Sequence, residues 1–418
     1  STAMSPIIQQ LTQLKTNSRE LSRLSDELRQ LVLLDLARRL ESCEANILAA
    51  NQLDLAQMSL SDPKYDRLQL SAERIRGMAQ DLRQVAGLTS PLGRILEQRD
   101  LANGLNLQKV AVPLGVVAVI YEARPNVTID VFSLCFKAGN SVVLKGGSDA
   151  WHSNQKLVEL IHASLIAYDL KPDLVYLMPP ERAAVYELLN AVGLVDVCIP
   201  RGSQELIKFV RENAKIPVIE TGAGIVHTYF DVSGDVVSAA KIIQNAKTRR
   251  VSVCNALDCL LVHVERLADL AQLVAPLADS QVLIYADAAS YAVLAGIYPS
   301  KLLQLATAES FGCEFLDYKL ALKVVANVTE AIKHIQHYSS GHSEAILAND
   351  AVTIEEFINQ IDVAVVYVNA STAFTDGGEF GMGAEIGIST QKLHARGPMA
   401  LPELTSYKWI VRGSGQIR

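Results

Sequence analysis

The sequence predicts an α/β protein of two doubly wound domains, each with a parallel sheet covered by helices on both faces. Its 418 residues exceed one ordinary core, because domains usually hold about 100–200 residues. Hydrophobic residues form 50% of the chain and charged residues 20%, a balance that favours packed domains over disorder. Short apolar runs alternate with helix-like segments, and the alternation begins again after about Val232.

The predicted helices and strands follow from hydrophobic periodicity along the chain and from the glycines and prolines that interrupt it. Leucines recur at three- and four-residue spacing from Leu21 to Leu34, which predicts that about the first 90 residues are helical. A region rich in Gly and Pro, 91–104, precedes Leu105–Val112, where polar and apolar residues alternate as in a half-exposed strand. The buried strands of the first domain are predicted at 114–121, 141–145, 174–178 and 194–199, with helices at 153–168 and 182–191.

The second series of elements, after about Val232, shows the same alternation of strands and helices. Its strands are predicted at 260–264, 282–286, 320–325, 345–347 and 363–368, and its helices at 236–246, 267–277, 329–338 and 354–361. The last predicted strand, Thr405–Arg412, is followed by no helix. We therefore expect it to pair with a sheet edge in this subunit or in a neighbouring one.

Charge and cysteine usage exclude several classes of function. The net charge is −7 and no basic tract occurs, which argues against a nucleic-acid partner. No apolar run approaches the roughly 18 residues of a membrane span. The six cysteines show no C-x-x-C pair, and the eight histidines no H-E-x-x-H pair, so we predict no structural zinc or other metal. Unpaired thiols indicate a reducing cytoplasm.

Two turns are candidates for binding a phosphate-bearing cofactor. Gly202 and Ser203 follow a predicted strand and begin a helix, an arrangement that points backbone N–H groups at an anion. Lys145, Gly147 and Ser148 follow another strand, at the edge where open α/β sheets bind ligands. The alternatives are an ordinary βα turn and a strand-ending turn with an extended lysine. The chain has no G-x-G-x-x-G motif and no Walker A motif.

Cys254 is the candidate nucleophile. Lys247, Arg249 and Arg250 shortly precede it, and nearby cations favour the reactive thiolate. The alternative is a cysteine that only packs, which is the interpretation we give to Cys135.

Several separated segments resemble one family. They are VANVTEAIKHIQHYSSGHSEAI at 325–346, YEARPN at 121–126, HARGP at 394–398 and VRGSGQIR at 411–418. Together they are similar to the aldehyde dehydrogenase superfamily and, within it, to the γ-glutamyl phosphate reductase family, from about residue 20 onward. The resemblance implies an aldehyde-dehydrogenase-like fold with a small β oligomerisation flap. It places the NADP-binding domain at 4–92, 113–228 and 386–404, the catalytic domain at 229–385, and the oligomerisation strands at 93–112 and 405–418.

The same resemblance implies roles for single residues. Cys254 matches the catalytic thiol, and Asn126 matches the amide that stabilises the oxyanion. Lys145 matches the lysine that holds the adenosine ribose or its phosphate. Gly202 and Ser203 match the turn beside the pyrophosphate. The carboxylate that binds the nicotinamide ribose is matched by Glu314.

Three positions depart from the family patterns. Ser148 stands where NAD-preferring members often carry Glu, and without that carboxylate Lys145, Gly147 and Ser148 could receive a 2′-phosphate, which favours NADPH. Glu220 stands where hydrolytic members keep a general base, and a reductase does not need it. Val251 replaces a usual proline, with a small expected effect on the loop.

The resemblance implies that NADPH reduces L-glutamyl 5-phosphate to L-glutamate 5-semialdehyde through a cysteine thioester, the second step of proline biosynthesis. The expected contacts to this anionic substrate are Arg124, Arg249, Arg250, His394, Arg396, His342 and Ser343. A homodimer or homotetramer and functional coupling with glutamate 5-kinase are also implied. The alternatives are another aldehyde or acyl-CoA dehydrogenase, a reductase module of a bifunctional kinase–reductase, and a non-catalytic binding protein.

Overall fold

The computed structural model describes residues 4–418, and its contacts divide the chain into two compact units. The first unit contains the chain up to Thr221, Met382–Gly387 and Met399–Arg418. The second contains Gly222–Gly381 and Ile388–Pro398. No helix in the described part of the chain is both long and apolar enough to cross a membrane.

The secondary structure is mixed throughout. The helices are α1 Pro6–Ser18, α2 Asp26–Ser42, α3 Glu44–Leu55, α4 Tyr65–Leu68, α5 Ala72–Ala86, α6 Asn126–Lys137, α7 Trp151–Ala167, α8 Ala183–Leu189, α9 Gln204–Asn213, α10 Val236–Thr248, α11 Leu270–Asp279, α12 Ala288–Leu294, α13 Val328–Tyr338 and α14 Ala351–Gln360. The strands are β1 Ile95–Asp100, β2 Asn106–Pro113, β3 Val116–Tyr121, β4 Ser141–Lys145, β5 Val175–Leu177, β6 Val197–Arg201, β7 Val226–Phe230, β8 Leu257–His263, β9 Leu283–Ala286, β10 Leu303–Leu305, β11 Lys319–Val325, β12 Ser343–Leu347, β13 Val365–Val368, β14 Ile388–Ser389, β15 Gly397–Pro398 and β16 Thr405–Arg412.

The first unit is built on a four-stranded parallel sheet in the order β5-β4-β3-β6. Every residue of the central strand β3 is buried, as expected for a strand covered on both faces. Val116, Ala118 and Ile120 form one core cluster with α1, α8 and α9. The helices α6 and α7 also contact the sheet. The parallel order brings the carboxyl ends of all four strands to one edge.

A separate three-stranded antiparallel sheet, in the order β1-β2-β16, belongs to the same unit. The predicted strand Thr405–Arg412 is present as β16 and pairs with β2 along its whole length, from Thr405 opposite Pro113 to Arg412 opposite Asn106. The strand β1 lies in the region rich in Gly and Pro, within the segment 93–112 that the family resemblance assigned to oligomerisation strands. Its residues ILEQRD are mostly exposed, so the sequence carries no buried-strand pattern there.

The second unit is built on a seven-stranded parallel sheet in the order β10-β9-β11-β8-β7-β12-β13. Along β8 the side chains alternate between two cores. Leu260 and Val262 pack with α10 and α11, whereas Cys259 and Leu261 pack with α13 and α14. Each face of the sheet is therefore covered, as the alternation of apolar runs and helices predicts.

The strand β7 was missed, and this affects the domain boundary. Its residues VHTYF are all buried, but His227 and Thr228 interrupt the apolar run that would mark a buried strand. Because β7 pairs with β8 and β12, the second unit begins at Gly222, seven residues before the position 229 at which the sequence placed it. The segment 388–398 also belongs to the second unit, although the prediction assigned it to the cofactor-binding domain.

Candidate active site

Cys254 lies in the second unit, in the loop that joins the end of α10 to the start of β8. It is partly exposed, whereas Cys259 on the adjoining strand is buried. Burial raises the pKa of the Cys259 thiol well above its usual range, which leaves that thiol protonated and unreactive. No disulfide joins the cysteines of residues 4–418. Cys254 therefore combines a loop position with access for a reactant.

A histidine that immediately precedes β12 contacts this thiol. His342 Nε2 lies 3.1 Å from Cys254 Sγ, and His342 Nδ1 lies 2.7 Å from Ser343 Oγ. The chain of contacts continues from Ser343 Oγ to Thr375 Oγ1 at 2.8 Å and from Thr375 Oγ1 to Tyr367 OH at 2.7 Å. We call these five side chains the thiol relay. They form a continuous hydrogen-bonded path from the nucleophile into the interior.

The backbone after the thiol is held by buried hydrogen bonds. Asn255 Nδ2 donates to the carbonyls of Ala373 and Thr375 at 3.3 and 3.2 Å. In return, Thr372 Oγ1 donates to the carbonyl of Asn255 at 2.8 Å. The segment 372–375 thus fixes the loop on one side of Cys254 and supplies Thr375, the fourth side chain of the thiol relay.

A close approach of glycine backbone fixes the loop on its other side. A Cβ atom on Gly224 would overlap the carbonyl group of Cys254, so no side chain fits at residue 224. The Gly224 N–H donates to Glu314 Oε2 at 2.6 Å, and the next N–H, of Ile225, donates to Ser340 Oγ at 2.9 Å. Burial raises the pKa of Glu314. The carboxylate predicted to bind the nicotinamide ribose therefore already holds the backbone beside the nucleophile.

His342 and Ser343, which were expected to contact substrate, are both fully buried. Burial lowers the pKa of His342 to about 4, so its imidazole is neutral at pH 7. Because both ring nitrogens contact protein atoms, the structure assigns His342 to the thiol. No pattern of spacing could reveal this, since the two residues lie 88 positions apart along the chain.

The cations before Cys254 divide into two kinds. Arg249 and Arg250 are exposed in the loop, where a charged reactant could reach them. Lys247 is fully buried, and its ammonium group donates to the Leu257 carbonyl at 2.8 Å. Burial lowers the pKa of Lys247 to about 8, with a smaller opposing effect of Asp258. Its observed contact is structural and joins α10 to β8.

The remaining candidates of the second unit lie near its short β14–β15 sheet. His394 is exposed and has a positive φ of 68°. Arg396 Nη1 lies 2.9 Å from Asp362 Oδ1, and Lys392 Nζ lies 2.6 Å from the other oxygen of the same carboxylate. Asp362 thus partly neutralises Arg396, although the Arg396 Nε atom is buried without a hydrogen-bond partner.

In the first unit, the predicted cofactor residues lie at the carboxyl edge of the four-stranded sheet. Lys145 ends β4 and is buried, and its ammonium group donates to the carbonyls of Gly146 and Pro180 at 2.8 and 3.0 Å. An ammonium group has three protons, so one donor remains for a ligand. Burial lowers the pKa of Lys145, an effect that nearby Glu181 opposes.

The segment after Lys145 contains a carboxylate that the sequence argument did not weigh. Ser148 is exposed and begins a short 3₁₀ helix, while Asp149 Oδ1 is buried and has no hydrogen-bond partner. A Cβ atom on Gly147 would lie 2.9 Å from this oxygen. The edge therefore offers both a cation and an open acceptor, which fits the hydroxyls and phosphate of an adenosine ribose.

The second predicted cofactor turn follows β6. Ser203 caps α9 by accepting a hydrogen bond from the Leu206 N–H at 3.2 Å, so its hydroxyl is already used. A Cβ atom on Gly202 would lie 3.0 Å from the carboxyl carbon of Glu122, which follows β3. The strands β3 and β6 are neighbours on either side of the point where the strand order reverses, the usual ligand crevice of such sheets.

Asn126 also lies at this edge, as the first residue of α6. Its Nδ2 lies 3.4 Å from Asp130 Oδ2, and Asp130 has a pKa raised to about 6, mainly by burial. Arg124, two residues earlier, is exposed. Glu220, the position of the hydrolytic base, accepts from Arg211 Nε and Nη2 at 2.5 and 2.8 Å, and this ion pair gives the carboxylate a structural partner.

Sequence analysis missed Thr375 and Tyr367 of the thiol relay, because a threonine and a tyrosine carry no motif. It also missed a buried group of possible metal ligands, His227, Cys259 and His334, whose ligand atoms lie within 4.8 Å of one another. Burial lowers the pKa of His227 to about 4 and that of His334 to about 3, so both rings are neutral. The group could not be recognised in the sequence because its members come from β7, β8 and α13, and the absence of a metal stays a prediction.

Comparison with known proteins identifies what the chain is similar to. The family model described as "Aldehyde dehydrogenase family" matches residues 9–283. A protein named gamma-glutamyl phosphate reductase from Legionella pneumophila (strain Paris) is 58% identical over 412 residues, which cover 99% of each chain. The crystal structure of gamma-glutamyl phosphate reductase from Thermotoga maritima has a TM-score of 0.95 at 37% identity, covering 99% of this chain and 100% of that one. An acetylating aldehyde dehydrogenase from Geobacillus thermoglucosidasius shares the fold, with a TM-score of 0.69 at 17% identity.

Proposed function

The chain belongs to the aldehyde dehydrogenase family and, within it, to the gamma-glutamyl phosphate reductases, and we propose that it reduces L-glutamyl 5-phosphate to L-glutamate 5-semialdehyde with NADPH. The reaction is the second step of proline biosynthesis from glutamate. The observation that carries the covalent chemistry is the partly exposed Cys254 thiol 3.1 Å from the neutral imidazole of His342. The names of the relatives support the choice of an acyl phosphate substrate.

The proposed reaction has two halves. Cys254 attacks the carbonyl carbon of the acyl phosphate, and phosphate leaves as a thioester forms. The thioester is then reduced to a thiohemiacetal, which releases the aldehyde and the thiol. The Asn126 amide and the Cys254 backbone N–H stabilise the tetrahedral oxyanion, and one such donor typically contributes ~10²–10³ in rate. Arg124, Arg249, Arg250, His394 and Arg396 are the proposed partners of the substrate's negative charges.

NADPH supplies the hydride for the second half of the reaction. Its proposed contacts are Lys145, Gly147 and Ser148 to the adenosine ribose phosphate, Gly202 and Ser203 to the pyrophosphate, and Glu314 to the nicotinamide ribose. The remaining proton of the Lys145 ammonium supports a ribose phosphate at this edge of the sheet, whereas the unpartnered Asp149 Oδ1 could accept only from a ribose hydroxyl. Ser148 is exposed and carries no charge that would repel the phosphate.

A change of cofactor preference tests the role of Ser148. Glutamate at this position would repel a 2′-phosphate and could accept from a ribose 2′-OH. We expect Ser148→Glu to change the NADPH to NADH ratio of kcat/KM by roughly 10- to 100-fold toward NADH, the size of one charge-assisted hydrogen bond. Steady-state kinetics with both cofactors measures this ratio, with Ser22→Glu, at an exposed position of a short 3₁₀ helix between α1 and α2, as the control. An unchanged ratio, or equal use of both cofactors by the unaltered protein, would contradict the assignment.

The activity itself is tested by following NADPH oxidation with enzymatically generated glutamyl phosphate. The reverse assay follows NADP⁺ reduction with glutamate 5-semialdehyde and phosphate. A panel of acyl-CoA thioesters and simple aldehydes tests the alternative of a general aldehyde or acyl-CoA dehydrogenase. Turnover of an acyl-CoA, together with none of glutamyl phosphate, would overturn the proposed substrate. A pull-down experiment with glutamate 5-kinase as the bait tests the functional coupling with that kinase, which we also propose.

The three-stranded sheet supports a homo-oligomer. Its outer strands β1 and β16 have unpaired edges in the described chain, and apolar side chains on β16 are exposed: Tyr407 by 52%, Trp409 by 45% and Val411 by 54%. Such an apolar edge strand usually pairs with something. We propose that a second copy of the chain covers it, giving a dimer or tetramer.

A charge on this strand should weaken the assembly. We expect Trp409→Glu to lower the solution mass, measured by light scattering after size-exclusion chromatography, by one association step. Leu60→Glu, on an exposed loop of the same unit, is the matched control and should leave the mass unchanged. A monomeric unaltered protein, or an unchanged mass of Trp409→Glu, would refute this interface.

A further inference from the structure

We propose that His342 removes the proton of the Cys254 thiol as it attacks and passes it to the departing phosphate, and that Ser343, Thr375 and Tyr367 hold the imidazole in the tautomer this requires. The inference rests on the proposed function and deepens it by adding a base for the nucleophile and residues that position that base.

The first step of the argument is the geometry of the thiol and the ring. The distance from Cys254 Sγ to His342 Nε2 is 3.1 Å, within reach for proton transfer. A neutral imidazole has one acceptor nitrogen and one donor nitrogen, whereas thiol sulfur is a weak acceptor. The stronger arrangement has the thiol donating to Nε2, which leaves Nδ1 as the protonated nitrogen.

The hydroxyls behind the ring complete this arrangement. In this tautomer Nδ1–H would donate to Ser343 Oγ, 2.7 Å away, Ser343 would donate to Thr375 Oγ1, 2.8 Å away, and Thr375 would donate to Tyr367 OH, 2.7 Å away. All of these groups are buried, so water does not compete for them. If Ser343 lost its acceptor, its proton could turn to Nδ1, and the ring would take the wrong tautomer. Thr375 and Tyr367 are therefore positioning residues.

The surroundings of the ring favour a base that is neutral at rest. Burial lowers the pKa of His342 to about 4, so the resting pair is thiol and imidazole. The titratable groups on neighbouring elements include Cys254 in the loop before β8, Tyr367 on β13, Glu344 on β12, His227 on β7 and Asp258 on β8. Glu344 contacts His227 Nδ1 at 2.8 Å and Ser339 Oγ at 3.2 Å. The proton then moves during attack, when charge develops on sulfur.

The protons and electrons balance over the cycle. The S–C bond forms as the thiol proton moves to Nε2, and the C–O bond to phosphate breaks as that proton moves to the leaving oxygen. Hydride from NADPH then reduces the thioester carbon, and the C–S bond breaks as the aldehyde forms. The sulfur recovers a proton from water. The net reaction consumes one NADPH and one proton and releases NADP⁺ and hydrogen phosphate.

Removing the base is the first test. We expect His342→Gln to lower kcat by ~10²–10⁴, the usual contribution of a general base, with KM changed less. Without the base the thiol must ionise by itself, so kcat of the variant should rise about tenfold per pH unit until the thiol titrates. The alkylation rate of Cys254 by iodoacetamide should gain the same steep dependence. His337→Gln, on the exposed face of α13, is the control.

The second test concerns the tautomer. We expect Thr375→Val to lower kcat by about tenfold, the value of one buried hydrogen bond, and Thr375→Ser to restore it, because serine keeps the hydroxyl. Both variants keep the carbonyl that holds Asn255. Nitrogen chemical shifts of ¹⁵N-histidine should show protonated Nδ1 in the unaltered protein and a shift toward protonated Nε2 in Thr375→Val.

Two results would overturn the inference: an Nε2-protonated ring in the unaltered protein, or a His342→Gln variant with normal kcat and an unchanged pH profile. Iodoacetamide labelling and nitrogen shifts need no substrate. An inactive protein whose Cys254 is nevertheless activated by His342 would therefore refute the proposed reaction and leave standing the part of this inference that concerns the thiol and the tautomer. Loss of turnover in Cys254→Ala, combined with full activity in His342→Gln, would support the proposed reaction and refute the inference about His342.

Discussion

Replacing Cys254 with alanine is expected to abolish turnover of glutamyl phosphate, with a loss of about 10⁴-fold or more, because the thioester cannot form without its sulfur. The affinity for NADPH should remain, since the proposed cofactor contacts of the first unit do not involve this side chain. The assay is NADPH oxidation for turnover and quenching of protein fluorescence for cofactor binding.

A matched cysteine substitution separates this effect from a general loss of thiols. Cys43→Ala, between α2 and α3 in the first unit, should keep full activity. Mass spectrometry of the protein after mixing with substrate should show an acyl adduct in Cys43→Ala and none in Cys254→Ala. Substantial activity in Cys254→Ala would exclude the covalent path.

The second large effect on activity is expected from adding a single methyl group at Gly224. In Gly224→Ala the new Cβ would overlap the Cys254 carbonyl, so the loop that carries the nucleophile must move. A displacement of about 1 Å at a catalytic group can cost about 10²-fold in rate. We expect a loss of kcat of at least that size together with a lower melting temperature, measured by steady-state kinetics and thermal unfolding.

The chain offers its own control for this substitution. Gly77 lies inside α5 with no atom within 4 Å of the position of a Cβ. Gly77→Ala should stabilise the protein by ~0.5–1 kcal/mol, because alanine loses less backbone entropy in a helix, and should leave kcat unchanged. If Gly224→Ala behaved like Gly77→Ala, the close approach of the two backbones would have no part in placing the thiol.

Local pattern predicted most of the framework. Ser141–Lys145 and Thr405–Arg412 were predicted at the bounds that the structure shows, because each has a clear start and end in the sequence. The strand β7 was missed because His227 sits inside it, and the buried ring contacts Glu344 from β12. Glu344 lies 117 residues from His227 in the sequence, so the residues around β7 do not explain why this histidine is buried.

The residues of the candidate site likewise fall into those that local sequence reveals and those that only tertiary contacts reveal. Cys254 could be found from nearby cations and the family resemblance, because both are local. The role of His342 could not, since Cys254, His342, Tyr367 and Thr375 meet only when β8, β12 and β13 form one sheet. Arg396 was chosen for its charge, and the pairing with Asp362 that reduces that charge is again a tertiary contact.

Thr375 serves two neighbours with two different groups. Its hydroxyl continues the thiol relay, while its carbonyl accepts from Asn255, the residue after the nucleophile. Residues that share a partner in this way rarely contribute additively. We therefore expect Asn255 and the segment 372–375 to be constrained together in evolution, because a change in either alone would shift both the position of the sulfur and the orientation of its base.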